Sequence, residues 1–82
     1  MEEKLKAMIG DKIAFWCVRY TYRGVIAEVT DETVTLKNAY MIEVSGSAES
    51  PKPEREDKLT RPITIPFQAI ENMMQPEWCF AD

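Results

Sequence analysis

The fold is decided by residues 19–40, RYTYRGVIAEVTDETVTLKNAY. Residues 22–29 are rich in β-branched and aromatic side chains, and residues 33–36 repeat that chemistry after the polar break TDE. The stretch is therefore predicted to form two β-strands joined by a tight turn. The aspartate of the break, Asp31, suits a turn because its side chain can hydrogen-bond the backbone two residues further on. Gly24 lies inside the first of these strands, where glycine costs stability, and it predicts a sharp bend there.

Two elements are predicted to precede this hairpin. Residues 2–9 have apolar positions three and four residues apart and predict a short helix, which is too short to be stable alone and is expected to cap one end of the sheet. Residues 12–20 predict a strand with apolar side chains on both faces. One face fills the core, and the other, which carries Trp16, needs a cover. The helix, a neighbouring subunit or the apolar tail around Trp78 can supply that cover, and we favour the tail.

The second half of the chain consists of an apolar stretch, a highly charged stretch and a second apolar stretch. Residues 38–44 continue the apolar pattern and extend the third strand. Residues 45–61 hold eight charged residues, three serines, two prolines and a glycine, a composition that cannot bury a core, so they are predicted to form a mobile loop. Residues 62–67 predict a fourth strand, confined to a sheet edge because its two prolines lack backbone donors. After a tight turn, residues 71–74 begin a short last strand.

Length and composition indicate one small globular domain, residues 1–82. The chain is 45% hydrophobic and 29% charged, and it contains no apolar run long enough to span a membrane. Its charged N-terminus does not resemble a signal peptide, so a cytoplasmic location is expected. Because a domain of this size buries too little surface to be very stable, oligomerisation is a natural source of further burial.

The charge balance does not by itself indicate nucleic-acid binding. Ten basic and fourteen acidic residues give a net charge of −4, whereas nucleic-acid modules usually carry a basic surplus. Basic side chains are nevertheless concentrated in and beside the hairpin, at Arg19, Arg23 and Lys37.

Catalysis is not expected. The chain has no histidine, its serines and threonines lie in no recognisable nucleophile setting, and its three glycines form no phosphate-binding loop. Adjacent acidic pairs are interpreted as solvated surface charges, so neither a metal nor a cofactor is expected. Cys17 and Cys79 are the only cysteines, and they are interpreted as two reduced thiols in a cytosolic protein.

Residues 24–39, GVIAEVTDETVTLKNA, resemble the first Sm motif of the Sm/LSm family, above all that of its bacterial Hfq branch. The matching positions, with one extra residue before the aspartate, are Gly24, Val25, Ile26, Ala27, Asp31, Val34, Leu36, Lys37 and Asn38. IPFQAI, residues 65–70, occupies the place of the second Sm motif, and the resemblance covers residues 4–74. It implies an all-β fold, a five-stranded, strongly bent SH3-like barrel of Sm type with a short N-terminal α-helix, assembled as a homo-oligomeric ring.

The resemblance also implies a site. Sm-like proteins hold an RNA base at the inner rim of the ring, between the turn joining strands two and three and the second motif. The corresponding positions here are Asp31, Thr33, Thr35, Phe67 and Gln68. Threonines replace the usual stacking residue and asparagine, and a phenylalanine replaces the usual basic residue. We therefore expect an altered site in which Phe67 stacks on a base, with the alternative that Phe67 is a core residue continuing the apolar face of the fourth strand.

Two functions follow as hypotheses. The first is a non-catalytic Sm-like ring that binds single-stranded RNA. The second is a structural or protein-interaction barrel that kept the ring but lost the RNA site, using Trp16, Trp78, Phe80 or the loop at residues 45–61 as its contact surface. The pairing of first and last strands in an Sm-like barrel also leaves a disulfide between the two cysteines as the alternative to free thiols.

Overall fold

A computed structural model describes residues 1–46 and 49–81, and it consists mainly of antiparallel β-structure with one short α-helix near the N-terminus. The elements are α1 (Glu2–Lys6), β1 (Lys12–Cys17), β2 (Thr21–Val29), β3 (Thr33–Ser45), β4 (Lys52–Lys58), β5 (Ile63–Pro66), a 3-10 helix (Phe67–Ala69), β6 (Ile70–Met74) and a second 3-10 helix (Glu77–Phe80). No helix in these two ranges has the length and apolar character that crossing a membrane requires.

The strands form one antiparallel sheet in the order β4-β3-β2-β1-β6, with β5 paired to β3 as well. The long strand β3 is the centre of this arrangement. Its first part, residues 33–36, pairs with β5, and its last part, residues 40–45, pairs with β4. The path of paired strands runs from β4 to β6 without closing on itself. Together with β5, the described sheet therefore has six strands and is open. The predicted count of five was wrong because an extra strand lies in the segment predicted to be a loop.

That extra strand, β4, has the sequence KPEREDK and is largely exposed. Its own composition gives no sign of a strand, but its backbone pairs with the apolar end of β3, where Ile42 is buried. An edge strand can be almost wholly charged because its backbone hydrogen bonds attach it to the sheet while most of its side chains remain in solvent. The prediction of a loop over residues 45–61 is therefore corrected at Lys52–Lys58, and residues 47 and 48 of that loop lie outside the described residues.

The predicted hairpin is present as β2 and β3, but the residue that fixes its turn differs from the prediction. The hydroxyl of Thr30 accepts hydrogen bonds from the backbone N–H groups of Glu32 (3.2 Å) and Thr33 (2.9 Å). It also lies 2.8 Å from the hydroxyl of Thr33. Thr30 therefore performs the turn-forming role that the sequence assigned to Asp31, whose side chain is exposed.

Gly24 lies at an irregularity in this hairpin. Two residues of β3, Asn38 and Ala39, lie opposite the single residue Gly24, which makes a β-bulge. A Cβ atom on Gly24 would lie 3.0 Å from the carbonyl oxygen of Lys37 and 3.2 Å from the Cα atom of Ala39. Asn38 has a φ of 50°, in the left-handed region that asparagine tolerates better than most residues. The bend predicted at Gly24 takes the form of this bulge, and close packing of the two backbones explains the glycine.

The main core lies on the inner face of the bent sheet. Its buried side chains are Leu5, Ile13, Phe15, Ile26, Val29, Val34, Leu36, Ala39 and Ile65. They come from α1, β1, β2, β3 and β5, and half-buried residues of β6 pack against them. Leu5 is fully buried, so the helix covers this core as predicted, although it ends at Lys6, three residues before the predicted end.

The outer face of the sheet has a second, smaller buried layer beneath the C-terminal tail, which we define as residues 77–81. The ring centroids of Trp16 and Trp78 are 6.0 Å apart, and the indole N–H of Trp78 donates to the carbonyl of Pro51 (2.9 Å). Ala14 and Cys79 are almost completely buried. The prediction that the tail covers Trp16 is confirmed. Only the end of the predicted strand 12–20 is wrong, because β1 stops at Cys17.

Arg23 is buried in this outer layer, with 5% of its surface exposed. Its Nε donates to the Glu56 carboxylate (2.5 Å), its Nη1 donates to the carbonyl of Ala81 (3.1 Å), and its guanidinium lies over the Tyr40 ring. This arginine therefore joins β2, β4 and the tail. Because its guanidinium is buried, Arg23 cannot contact phosphates. Of the three basic residues in and beside the hairpin, only Arg19 and Lys37 are exposed.

Candidate functional site

Pairing of β5 with β3 builds the candidate site. Thr33, the first residue of β3, lies opposite Pro66, the last residue of β5, so the chain leaving β5 meets the turn that enters β3. The backbone N–H of Phe67 donates to the carbonyl of Glu32 (2.8 Å) and fixes this junction. The result is a cavity of about 400 Å³, within the usual size range of ligand pockets. It is lined by Asp31, Glu32, Thr33, Pro66, Phe67 and Gln68.

Four of the five predicted site residues line this one cavity, namely Asp31, Thr33, Phe67 and Gln68. The fifth, Thr35, lies two residues further along β3, about 7 Å along the strand from Thr33. Its hydroxyl forms a hydrogen bond with the hydroxyl of Thr64 (2.9 Å) on β5. Thr35 therefore belongs to the strand pairing beside the cavity rather than to its lining.

Phe67 is both a core residue and a lining residue of the cavity, the two roles that were considered for it from the sequence. It is half-buried and packs against the main core, and it also lines the cavity. One part of the ring is therefore held by the core while another part remains available to a ligand. A ring supported in this way loses little conformational freedom when a flat group stacks on it. Gln68, the next residue, is exposed and also lines the cavity.

The rim of the cavity is kept in place by the Thr30 hydrogen bonds. Besides the side-chain contacts, the backbone N–H of Thr30 donates to the carbonyl of Thr33 (2.8 Å), which closes the turn. The carboxylates of Asp31 and Glu32 therefore project from a fixed backbone. Glu32 and Pro66 were missed in the sequence, although both are chain neighbours of predicted site residues.

The electrostatic character of the cavity is acidic. Across its six described lining residues there are two carboxylates and no basic side chain. The lining offers hydroxyl and amide groups from Thr33 and Gln68 in addition to the aromatic ring. Such a set of groups suits a flat ligand with hydrogen-bond donors on its edge better than it suits a phosphate.

A larger apolar groove of about 620 Å³ lies at the free side of β5. It runs between the β1–β2 connection and β5, and its walls include Val18, Tyr20 and Tyr22 on one side and Ile63 and Ile65 on the other. Val18 is 71% exposed and Tyr20 is 47% exposed. This groove was not predicted, because Val18 was expected to lie on a strand face covered by another element.

Both cysteines are free thiols, as the preferred sequence interpretation expected. Cys17 packs against the main core and lines the apolar groove, whereas Cys79 is the buried residue of the tail and lies in the outer layer. Burial raises the pKa of the Cys17 thiol, and the nearby Glu71 carboxylate raises it further. Burial also raises the pKa of Cys79, against the opposing effect of Arg23 and Lys12. Neither thiol has the lowered pKa of a reactive cysteine.

Comparison with protein-family models finds no match to this chain, and comparison with curated proteins finds none either.

Proposed function

We propose that this chain is a cytoplasmic, Sm-like, non-catalytic protein that assembles into a homo-oligomeric ring and binds single-stranded RNA in the acidic cavity. The observation that carries the proposal is the convergence of Asp31, Thr33, Phe67 and Gln68 on one cavity. These residues are separated by up to 37 positions in the sequence, and they were selected from the Sm resemblance alone.

The proposal includes a barrel-like closure of the bent sheet. Ile65 of β5 and Met73 of β6 lie on strands that do not pair with each other, yet both pack against the same core cluster. The sheet must therefore curve strongly enough to bring these strands around one centre. β4 and β5, both partners of β3, then correspond to one strand of the SH3-like barrel, interrupted between Lys58 and Ile63.

Ring assembly is supported by free strand edges, which β5 and β6 keep along with the charged strand β4. Among the described strands, β5 pairs only with β3, and β6 pairs only with β1. An unpaired edge is a template for a strand of another chain. The apolar groove lies directly beside the free edge of β5, so a second copy that pairs there also buries Val18 and Tyr20.

RNA binding is supported by the type of groups in the cavity. Single-stranded RNA is recognised by stacking of splayed bases on aromatic rings and by hydrogen bonds to base edges. Phe67 supplies the ring, and Thr33, Gln68 and the two acids supply the edge groups. The net charge of −4 restricts the contribution of phosphate contacts, so we expect affinity to come mainly from the bases.

A second function is favoured by the apolar groove. A structural or protein-interaction role would use the same exposed Val18 and Tyr20 without any RNA. The aromatic residues first proposed for such contacts, Trp16 and Trp78, are engaged with each other within the chain and are less available for it.

Native mass spectrometry of the protein, alone and with short single-stranded RNA, tests the proposal. We expect a closed oligomer that takes up RNA in fixed stoichiometry. Phe67→Leu, which keeps an apolar side chain on the core, and Gln68→Ala are each expected to weaken RNA uptake while the oligomer mass is unchanged. Phe80→Leu, an exposed aromatic residue of the tail, is the matched control and should bind like the parent protein. A closed oligomer that ignores RNA even at low salt would support the protein-interaction role instead.

A further inference from the structure

The hydrogen-bonding groups of the acidic cavity are unequally divided between donors and acceptors. The carboxylates of Asp31 and Glu32 are exposed, and an ionised carboxylate only accepts hydrogen bonds. The hydroxyl of Thr33 lies 2.8 Å from that of Thr30, either of them can be the donor, and Thr33 therefore offers at most one hydroxyl donor. Gln68 is the only lining side chain, among the six that the structure describes, that offers N–H donors of its own. The cavity thus presents a surplus of acceptors.

This surplus distinguishes the four RNA bases by their Watson–Crick edges. Uracil presents two carbonyl oxygens around one N–H, so a carboxylate in its plane is repelled on both sides. Adenine and cytosine each present one amino group beside a ring-nitrogen acceptor. Guanine alone presents two adjacent donors, N1–H and the 2-amino group, which match the two oxygens of one carboxylate. Its O6 atom then remains as an acceptor for an amide N–H.

We infer that the cavity selects guanine within single-stranded RNA, with Asp31 or Glu32 accepting from N1–H and the 2-amino group and Gln68 donating to O6. This inference rests on the proposed function and names the base that the proposed site takes. Phe67 supplies a stacking surface that any base can use, so it contributes affinity and not selectivity. The two carboxylates supply the selectivity and also keep phosphates out of the cavity.

Fluorescence anisotropy with labelled RNA pentamers tests the assignment. The pentamers AAGAA, AAUAA, AACAA and AAAAA differ only at the central base. We expect AAGAA to bind at least about tenfold more tightly than AAUAA, as a paired set of base-edge hydrogen bonds allows. Unlabelled AAGAA should compete better than free guanosine, since equal competition would assign the cavity to a nucleoside and overturn the assignment to RNA.

Variants separate selectivity from affinity. Asp31→Asn/Glu32→Gln should reduce the preference for AAGAA to less than about threefold, because an amide presents a donor where each carboxylate presents only acceptors. Asp11→Asn/Glu43→Gln removes the same two charges at exposed positions outside the cavity and should keep the preference. Phe67→Leu should weaken all four pentamers by a similar factor, about tenfold.

The outcomes distinguish this inference from the proposed function beneath it. Equal binding of all four pentamers, a preference for uracil, or a guanine preference that survives in Asp31→Asn/Glu32→Gln would overturn the guanine assignment and leave RNA binding in place. Failure of the intact oligomer to bind any of the four would overturn the proposed function and the assignment together.

Discussion

The guanidinium carbon of Arg23 lies 4.0 Å from the centroid of the Tyr40 ring, directly across the β2–β3 pairing. The same guanidinium donates to Glu56 on β4 and to the carbonyl of Ala81 in the tail. One side chain therefore connects the centre of the sheet, its charged edge strand and the end of the chain. Its planar donor group suits this task because it can stack and donate in two directions at once.

Replacing this arginine should destabilise the fold. Arg23→Met leaves the Glu56 carboxylate without its partner, and we expect the free energy of unfolding to fall by about 2–3 kcal/mol. The value lies below that of a fully buried pair because the Glu56 side chain is 35% exposed. Urea denaturation gives the measurement. Arg55→Met removes the exposed ion pair with Asp57 and should cost less than about 1 kcal/mol. Equal losses in the two variants would refute the structural role of Arg23.

Adding a methyl group at Gly24 should be more harmful than adding one at Gly10. The Cβ atom of Gly24→Ala would meet backbone atoms of β3 at 3.0 to 3.2 Å, and we expect a loss of about 1–3 kcal/mol in unfolding free energy. Gly10→Ala meets nothing within 4 Å, and its cost, about 1 kcal/mol, comes from a φ of +95° alone. Thermal and urea unfolding of both variants provide the comparison. A neutral Gly24→Ala would show that β3 can move away from the bulge.

Loosening the tail should expose one cysteine and not the other. Trp78→Ala removes the ring contact with Trp16 and the hydrogen bond to Pro51, so the tail, in which Cys79 is buried, loses two of its attachments. We expect the rate of alkylation of Cys79 to increase at least about tenfold as the population of locally open states grows. Cys17 lies on the other face and serves as the internal control. Mass spectrometry after timed alkylation measures both rates, and a parallel increase at Cys17 would indicate global unfolding instead.

Alkaline pH should weaken the fold through the two thiols. Burial raises the pKa of both Cys17 and Cys79 in the folded protein. Above the ordinary thiol pKa of about 8.5, the unfolded chain has released protons that the folded chain still holds. The unfolding free energy therefore contains a favourable contribution that is complete below that pH and decreases as the pH rises through the raised pKa values. Urea midpoints at pH 7.5 and 9.5, with reductant present, should decrease less in Cys17→Ala/Cys79→Ala than in the parent protein. Identical decreases would contradict the prediction.

Local sequence patterns predicted those parts of the fold that depend on residues close together in the chain. The β2–β3 hairpin, the irregularity at Gly24 and the edge position of the proline-flanked strand each follow from residue types within a few positions of one another. β4 could not be predicted in this way. Most of its charged side chains face solvent, and its backbone pairing with β3 makes it a strand, so its own composition resembles that of a loop.

The residues of the candidate site were predicted only in part. The Sm resemblance placed the turn and the second motif next to each other, and the β3–β5 register brings Thr33 and Phe67 to the same cavity. Thr35 was included because it falls at the position where Sm proteins carry an asparagine, but its hydroxyl bonds to that of Thr64, 29 residues away in the sequence. The burial of Arg23 depends on partners 33 and 58 residues away, and no local pattern marks it.

The contact between Trp16 and Trp78 has a practical consequence for spectroscopy. These are the only two tryptophans of the chain, and their ring centroids are 6.0 Å apart. Intrinsic fluorescence excited at the tryptophan band therefore originates from a single location, where the tail meets β1, and the acidic cavity contains neither indole. A change in emission reports undocking of the tail before it reports anything about the core or about RNA. Far-ultraviolet circular dichroism, which follows the whole sheet, is the signal against which such an emission change has to be compared.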